Sequence, residues 1–438
     1  MNKTDRRILN IALPAIVTNI TVPLLGLADV AIMGHMGRAA YIGAIAVGSM
    51  VFNVMYWLFA FLRMGTSGLT SQALGARRLD ETVRLFFVSQ GIAMMVALLL
   101  IAAQWPLLRL AMAVMAPSAE VEALADTYFH ICIWGAPAVL GLYALSGWYI
   151  GMQNTRTPLV ISVVQNVVNI AASVTLVVAL DMKVEGVALG TVIAQWTGFL
   201  VALLLCLWHY RRLLRYLRPE RLRTLDGLGR FFTVNRDIFL RTLFLVSVNL
   251  FVTSFGARQG DTILAVNALL IQTYLFFSYF MDGFAYAGEA LCGRMLGAAN
   301  HRGFVATMQR LFLWGAGVLL LFLAVFGVGG DAIVALLTDE PSVREAAQPY
   351  LPWILVMPVC GVVAFLWDGI YIGATATRYM LVATTAGAVL FYALVLVLPV
   401  ALPSMDANHV LWTAYSGHLL ARTVAQSLCA RTALKWRK

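Results

Sequence analysis

The sequence predicts an all-α membrane protein: twelve transmembrane helices in two six-helix lobes related as parallel repeats. Three observations predict this. The 438 residues are 61% hydrophobic and only 12% charged, against about 25% charged in a soluble domain. They fall into apolar runs long enough to cross ~30 Å of hydrocarbon as helix. The second half also repeats residues of the first at one constant spacing. A soluble chain of this length would need several cores, each with a polar skin. There is too little polar sequence to supply them, so a soluble enzyme is excluded.

The candidate spans follow one another along the chain. Span one (8–33) follows the basic start MNKTDRR. A signal peptide also begins this way, but the run is too long for one and contains Pro14 and Pro23, so it reads as a retained helix. Spans two (42–70) and three (84–105) are parted by the charged turn GARRLDE, and spans four (124–151) and five (158–180) by MQNTRTP. Span six (186–209) follows DMKVEG. Spans seven (238–257) and eight (262–290) are parted by ARQGD, and span nine (304–328) follows AANHRG. Spans ten (346–373) and eleven (379–402) are parted by ATATR, and span twelve (408–430) follows PSMDANH. Runs this long in lipid must be helices, because hydrocarbon offers no partner for an open strand edge.

Charge gives the orientation. The formal net charge is +10. In a soluble protein this would suggest nucleic acid, but cytoplasmic loops of membrane proteins accumulate Lys and Arg. With the N-terminus inside, only Arg38, Arg109, Lys183, Arg258 and Arg344 fall outside, and Arg63 lies within a span. The opposite orientation would place the nine arginines of Arg211–Arg241 outside. Both termini, the latter ending Trp436-Arg437-Lys438, are therefore expected in the cytoplasm, with the chain in the cytoplasmic (inner) membrane. The arginine-rich middle divides the chain into an N-terminal lobe (1–210), a basic linker (211–236) and a C-terminal lobe (237–438). The linker reads equally as a short amphipathic helix on the anionic leaflet or as a solvated connection.

The halves look duplicated. At an offset of 222, Tyr128/Tyr350, Gly147/Gly369, Tyr149/Tyr371, Ile150/Ile372, Gly151/Gly373 and Arg156/Arg378 coincide, and Leu74-Gly75-Ala76 meets Leu296-Gly297-Ala298. Six spans separate the matched ones, so they run in the same direction, as in parallel-repeat transporters.

Ionisable residues inside spans are costly and usually face a cavity or a partner. Arg63, Asp282 and Asp368 read as a structural ion-pair cluster or as cavity residues, and Glu289 as a residue that reaches the interface. Asp29 stands alone in span one, with no basic residue within a helical turn. Burial away from water disfavours a carboxyl's charged form, so such a group can take and release protons. Gln165, Asn169 and Ser173 form one stripe on span five, either helix glue or company for Asp29. His130 reads as a core histidine. The five cysteines show no metal or redox spacing, and no GxxxxGK[ST] motif is present. No metal, cofactor or catalytic residue is expected, and the protein is not expected to be an enzyme.

The stretch ALPAIVTNITVPLLGLADVAIMGHMG (Ala12–Gly37) resembles the first helix of the multidrug and toxic compound extrusion (MATE) family, in its DinF branch. FLRMGTSGLTSQALGA, NRDIFLR, MDGFAYAGEA and DGIYIGAT are similar to that branch too, and the likeness covers essentially the whole chain. The resemblance implies an antiporter that exports cationic or amphiphilic compounds, drugs included, in exchange for protons or sodium. It implies that Asp29 couples the cation and that Pro14 bends the first helix. It further implies that Tyr128, Asn169 and Thr191 line the same lobe; Gln165 shares the span-five stripe with Asn169. Many members carry a second aspartate where this chain has Ser173. One carboxylate suits a proton better than sodium, so proton coupling is expected.

The expected partners are thus small organic substrates, protons and the lipid bilayer, with no nucleic acid, and the chain is expected to act as a monomer. The alternatives are a flippase for lipid-linked sugars, whose anionic cargo would want more deep basic residues than Arg63, and an intramembrane enzyme, which would want a catalytic constellation that the sequence does not offer. The sequence does not name the substrate.

Overall fold

The computed structural model describes residues 2–34, 38–217, 220 and 228–434. Among these the chain is helical almost throughout, with no strand. Every expected span is met by helix. The first six are Lys3–Gly34; Ala39–Leu58 continued by Phe61–Gly75; Leu79–Ala102; Ala119–Cys132 continued by Ala136–Gly151; Arg156–Val174; and Val184–His209. The second six are Leu228–Ala257, Asp261–Gly297, His301–Leu337, Pro352–Ala374, Thr377–Ala401 and Ala407–Ala433. Ten of the twelve are apolar enough to cross a membrane by composition alone. The first is long enough, at 32 residues, and carries the apolar run 8–33; the last is long enough, at 27 residues, but more polar. The protein is thus a multi-pass membrane protein of two six-helix sets. Residues 218–219, 221–227 and 435–438 lie outside the described residues, and with them the amphipathic helix weighed for the linker and the basic run Trp436-Arg437-Lys438.

The chain forms two compact units, Val17–Phe231 and Met1–Ile16 with Phe232–Lys438. The first helix runs on through Pro14 and Pro23, yet its opening turns belong to the second unit. There Asp5 accepts from the Trp314 indole N–H at 3.3 Å and lies 3.7 Å from Arg310.

The duplication is visible in the backbone of each unit. Span two ends with Arg77 at φ 55° and span eight with Ala299 at φ 52°. Span four ends with Gln153 at φ 64° and span ten with Thr375 at φ 52°. The same pair of bonds closes each helix. Arg78 N–H donates to Ala73 O at 3.0 Å and Arg77 N–H to Leu74 O at 3.1 Å; at the same offset, Asn300 donates to Met295 at 2.9 Å and Ala299 to Leu296 at 3.0 Å. Asn154/Tyr149 and Gln153/Ile150 are matched in the same way by Ala376/Tyr371 and Thr375/Ile372. These left-handed endings satisfy the last helical carbonyls. The paired Tyr149/Tyr371 and Ile150/Ile372 therefore mark a shared turn.

The paired glycines mark a shared helix contact. A Cβ on Gly147 would lie 2.2 Å from the Arg63 carbonyl oxygen, and one on Gly369 the same 2.2 Å from that of Ala285. On Gly151 and Gly373 it would meet the carbonyls of Ser67 at 2.8 Å and Glu289 at 2.7 Å. Span four thus touches span two, and span ten touches span eight, backbone to backbone, as small residues allow within lipid. Gly147→Ala and Gly369→Ala should each destabilise by about 1–3 kcal/mol or more through overpacking. Thermal unfolding in detergent measures this, with Gly327→Ala as control, since a Cβ there meets nothing within 4 Å.

Span twelve starts where Asp406 caps it, accepting from the N–H groups of Asn408 and His409 and from the Tyr350 hydroxyl at 2.7 Å. Partial burial works against the charged carboxylate, but the Tyr350 hydroxyl and the two N–H groups outweigh it and hold Asp406 below the usual carboxylate range.

Candidate functional site

Asp29 lies deep in the first unit, 4% exposed. Among the described residues the groups that act on it, Thr191 and Asn169, are neutral. The Thr191 hydroxyl on span six donates to Asp29 Oδ2 at 3.3 Å, and the Asn169 amide on span five donates to the Thr191 oxygen at 3.2 Å. Asn169 and Thr191 both face the carboxylate, and Tyr128 and Cys132 of span four stand close enough to feel its charge. The Tyr128 hydroxyl pairs with Ser49 of span two at 3.4 Å, a partner that sequence reasoning missed. Three buried oxygens of this group, Asp29 Oδ1, Asn169 Oδ1 and Ser173 Oγ, have no hydrogen-bond partner among the described residues.

The stripe on span five faces span six. Glycines opposite it make room: a Cβ on Gly190 would lie 2.3 Å from Ser173 Oγ, and one on Gly198 would lie 2.3 Å from Gln165 Cγ. Of the three stripe residues, Asn169 is the one joined to Thr191 and, through it, to Asp29. Just beyond Ser173 the helix widens into a π turn, Thr175–Ala179, an irregularity that breaks the regular ladder. Span one is held to span five one face further along: Thr21 pairs with Ser162 at 2.7 Å, and Asn166 donates to the Thr21 carbonyl at 3.1 Å. Those three residues also escaped the sequence reading, because uncharged polar side chains are common in spans.

Arg63, Asp282 and Asp368, expected as one cluster, fall in different units. Arg63 belongs to the first unit, where its charge faces Tyr143. Asp368 and Asp282 lie in the second unit. The guanidinium NH2 groups of Arg241 and Arg422 both donate to Asp368 Oδ2, the latter at 2.9 Å, and Gln426 Nε2 donates to Oδ1 at 2.6 Å. Asp282 faces Arg241. Arg241 and Arg422 are 6% and 7% exposed. A carboxylate this deep is held where guanidinium groups reach it, and these come from spans seven and twelve. From sequence both arginines fall with the cytoplasmic charge. Glu289, expected near the interface, is 1% exposed. His130 is bonded to Gln104 at 3.1 Å. No group of three His, Cys, Asp or Glu residues able to hold a metal is found among the described residues.

The sequence pattern of the MatE family matches residues 14–175 and, a second time, 238–397. DNA damage-inducible protein F of Escherichia coli (strain K12) is 36% identical over 441 residues, covering 100% of this chain and 94% of its own. Multidrug export protein MepA of Staphylococcus aureus (strain bovine RF122 / ET3-1) is 20% identical, covering 98% of this chain and 92% of its own. The outward-facing structure of a multidrug resistance MATE family transporter of the MOP superfamily superposes with a TM-score of 0.83 at 15% identity, covering 99% of this chain and 96% of that one. Both halves carry the pattern and the similarity to DNA damage-inducible protein F runs the whole length: the chain belongs to the MatE family of membrane transporters, in the branch of that protein.

Proposed function

We propose that this protein is a proton-coupled antiporter that exports small cationic or amphiphilic organic compounds, drugs among them, without altering them chemically. In this reading it sits in the cytoplasmic membrane as a monomer with both termini inside, and its lobes 1–210 and 237–438 are joined by the linker 211–236. The names of the relatives, a multidrug export protein and a multidrug resistance transporter, support the substrate class.

One observation carries the coupling ion. Around Asp29 two buried acceptors, Asp29 Oδ1 and Asn169 Oδ1, have no partner among the described residues, against one unpaired hydroxyl donor, Ser173. One proton on the carboxyl turns an acceptor-only group into a donor and supplies what the cluster lacks. Ser173, in place of a second carboxylate, leaves a single negative charge to be neutralised. The first helix is suited to respond, because Pro14 removes a backbone hydrogen bond two residues before that helix passes from one unit to the other. Protonation of Asp29 favours a bent first helix and a narrowed cavity; deprotonation favours the form that accepts substrate. Such a shift requires the proton to bind one conformer more tightly than the other.

Transport by purified protein in liposomes, with the two gradients imposed separately, tests the reading. Export should follow the proton gradient and be nearly indifferent to sodium. Export that persists when the pH gradient is collapsed and follows an imposed sodium gradient would overturn proton coupling.

A further inference from the structure

Spans eight and nine, Asp261–Gly297 and His301–Leu337, part around an apolar crevice of about 480 Å³. Four phenylalanines line it: Phe276, Phe280, Phe322 and Phe326. Their rings pack into one wall, with centroids 5.2 Å apart for Phe280/Phe322, 6.0 Å for Phe276/Phe322 and 5.4 Å for Phe322/Phe326. Such a wall is stiff and presents no hydrogen-bonding group. The polar lining is Gln272 and Thr273, and the Thr273 hydroxyl is already used, donating to the Leu269 carbonyl at 2.8 Å.

The crevice is long and lies along the helices. It begins near the middle of both, at Phe280 and Phe322, and extends away from the connection at 298–300. On span eight its lining runs from Gln272 to Phe280, roughly 12 Å of helix at a rise of 1.5 Å per residue. One leaflet of hydrocarbon is about 15 Å deep, half the core thickness. The crevice therefore has the length and direction of a lipid chain within one leaflet. It is also continuous with a lipid-facing surface: Leu321 and Val325 on its rim are 58% and 51% exposed, and Leu320 and Val328 beside them 66% and 93%. An unfilled crevice there would forfeit dispersion contacts along its whole wall. A flexible chain from the surrounding bilayer regains them.

We propose that one acyl chain of a membrane phospholipid occupies this crevice as a resident ligand, its methyl end against Phe280 and Phe322. Its ester end then lies towards Gln272, whose carboxamide can donate to an ester carbonyl. A charged substrate fits poorly, because no ionisable side chain lines the site among the described residues.

The test uses the full-length protein in nanodiscs containing a phosphatidylcholine with a photoreactive diazirine at the end of one acyl chain. After irradiation and digestion, labelling should concentrate on residues 272–280 and 321–326. It should exceed labelling at Leu396, which is 74% exposed on span eleven and lies outside the crevice. Val325→Trp, which fills the crevice, should lower crevice labelling several-fold while the Leu396 signal is unchanged. Leu321→Trp serves if the first variant does not elute as a folded species. Crevice labelling no higher than at Leu396, or undiminished in a folded filled variant, would overturn the proposal. So would displacement of the label by ethidium, which would give the crevice to transported amphiphiles instead.

Discussion

Asp29→Asn is expected to abolish gradient-driven export while the protein still inserts and folds. Asparagine keeps the shape of the side chain and an oxygen that can accept from Thr191, now bonded at 3.3 Å, but has no proton to exchange. The substitution therefore separates titration from packing. Thr191→Val tests the same chain of bonds one step back. It removes a donor to a charged group, an interaction worth about 1.5–3 kcal/mol, and should weaken export without abolishing it. Pro14→Ala should also impair export only in part, because the bend can be absorbed elsewhere along the helix. Export by Asp29→Asn at the wild-type rate, at matched expression, would remove Asp29 from the mechanism.

The second large effect is expected in the other unit and concerns stability. Asp368→Ala leaves the guanidinium groups of Arg241 and Arg422 buried without the carboxylate they share. Removing one partner from a buried ion pair costs about 3–5 kcal/mol, enough to lower the folded yield and the unfolding midpoint sharply. Replacing all three residues with apolar ones of similar size should recover much of that loss, since a buried cluster can often be exchanged for packing. Arg63→Ala, in the first unit, should leave the Asp368 cluster intact. Normal stability of Asp368→Ala would show that the arginines find other partners.

The helices were legible because hydropathy reads them directly; even the more polar twelfth span stood out after a proline-bearing connection. The duplication was legible through Gly147/Gly369 and Tyr149/Tyr371, although sequence alone did not say that the glycines mark a backbone contact and the tyrosines a left-handed turn. Asp29 was visible because a lone carboxylate in an apolar run has few explanations. Thr191 was not visible from the residues themselves and entered only through the family resemblance, since a threonine in a span carries no signal until its partner is known. Ser49, Thr21 and Ser162 were hidden for the same reason. Arg241 and Arg422 were lost differently: they lie in runs whose charge served to orient the chain, and nothing in one dimension separates an arginine at the interface from one turned inward. Arg422 lies well within 408–430 and is followed at i+4 by Gln426, a pairing that could have marked an inward polar face.

If Asp29 is the coupling residue, proton and substrate act against each other through it. Proton release measures this most directly: substrate is added to purified protein in weakly buffered detergent solution near neutral pH, and released protons are read with an indicator dye. Linkage requires that, if protonation disfavours substrate, substrate binding expels protons by the same coupling. The wild type should release roughly one proton per bound substrate and Asp29→Asn none. Equal release from both proteins, or substrate binding to the wild type without release, would contradict it.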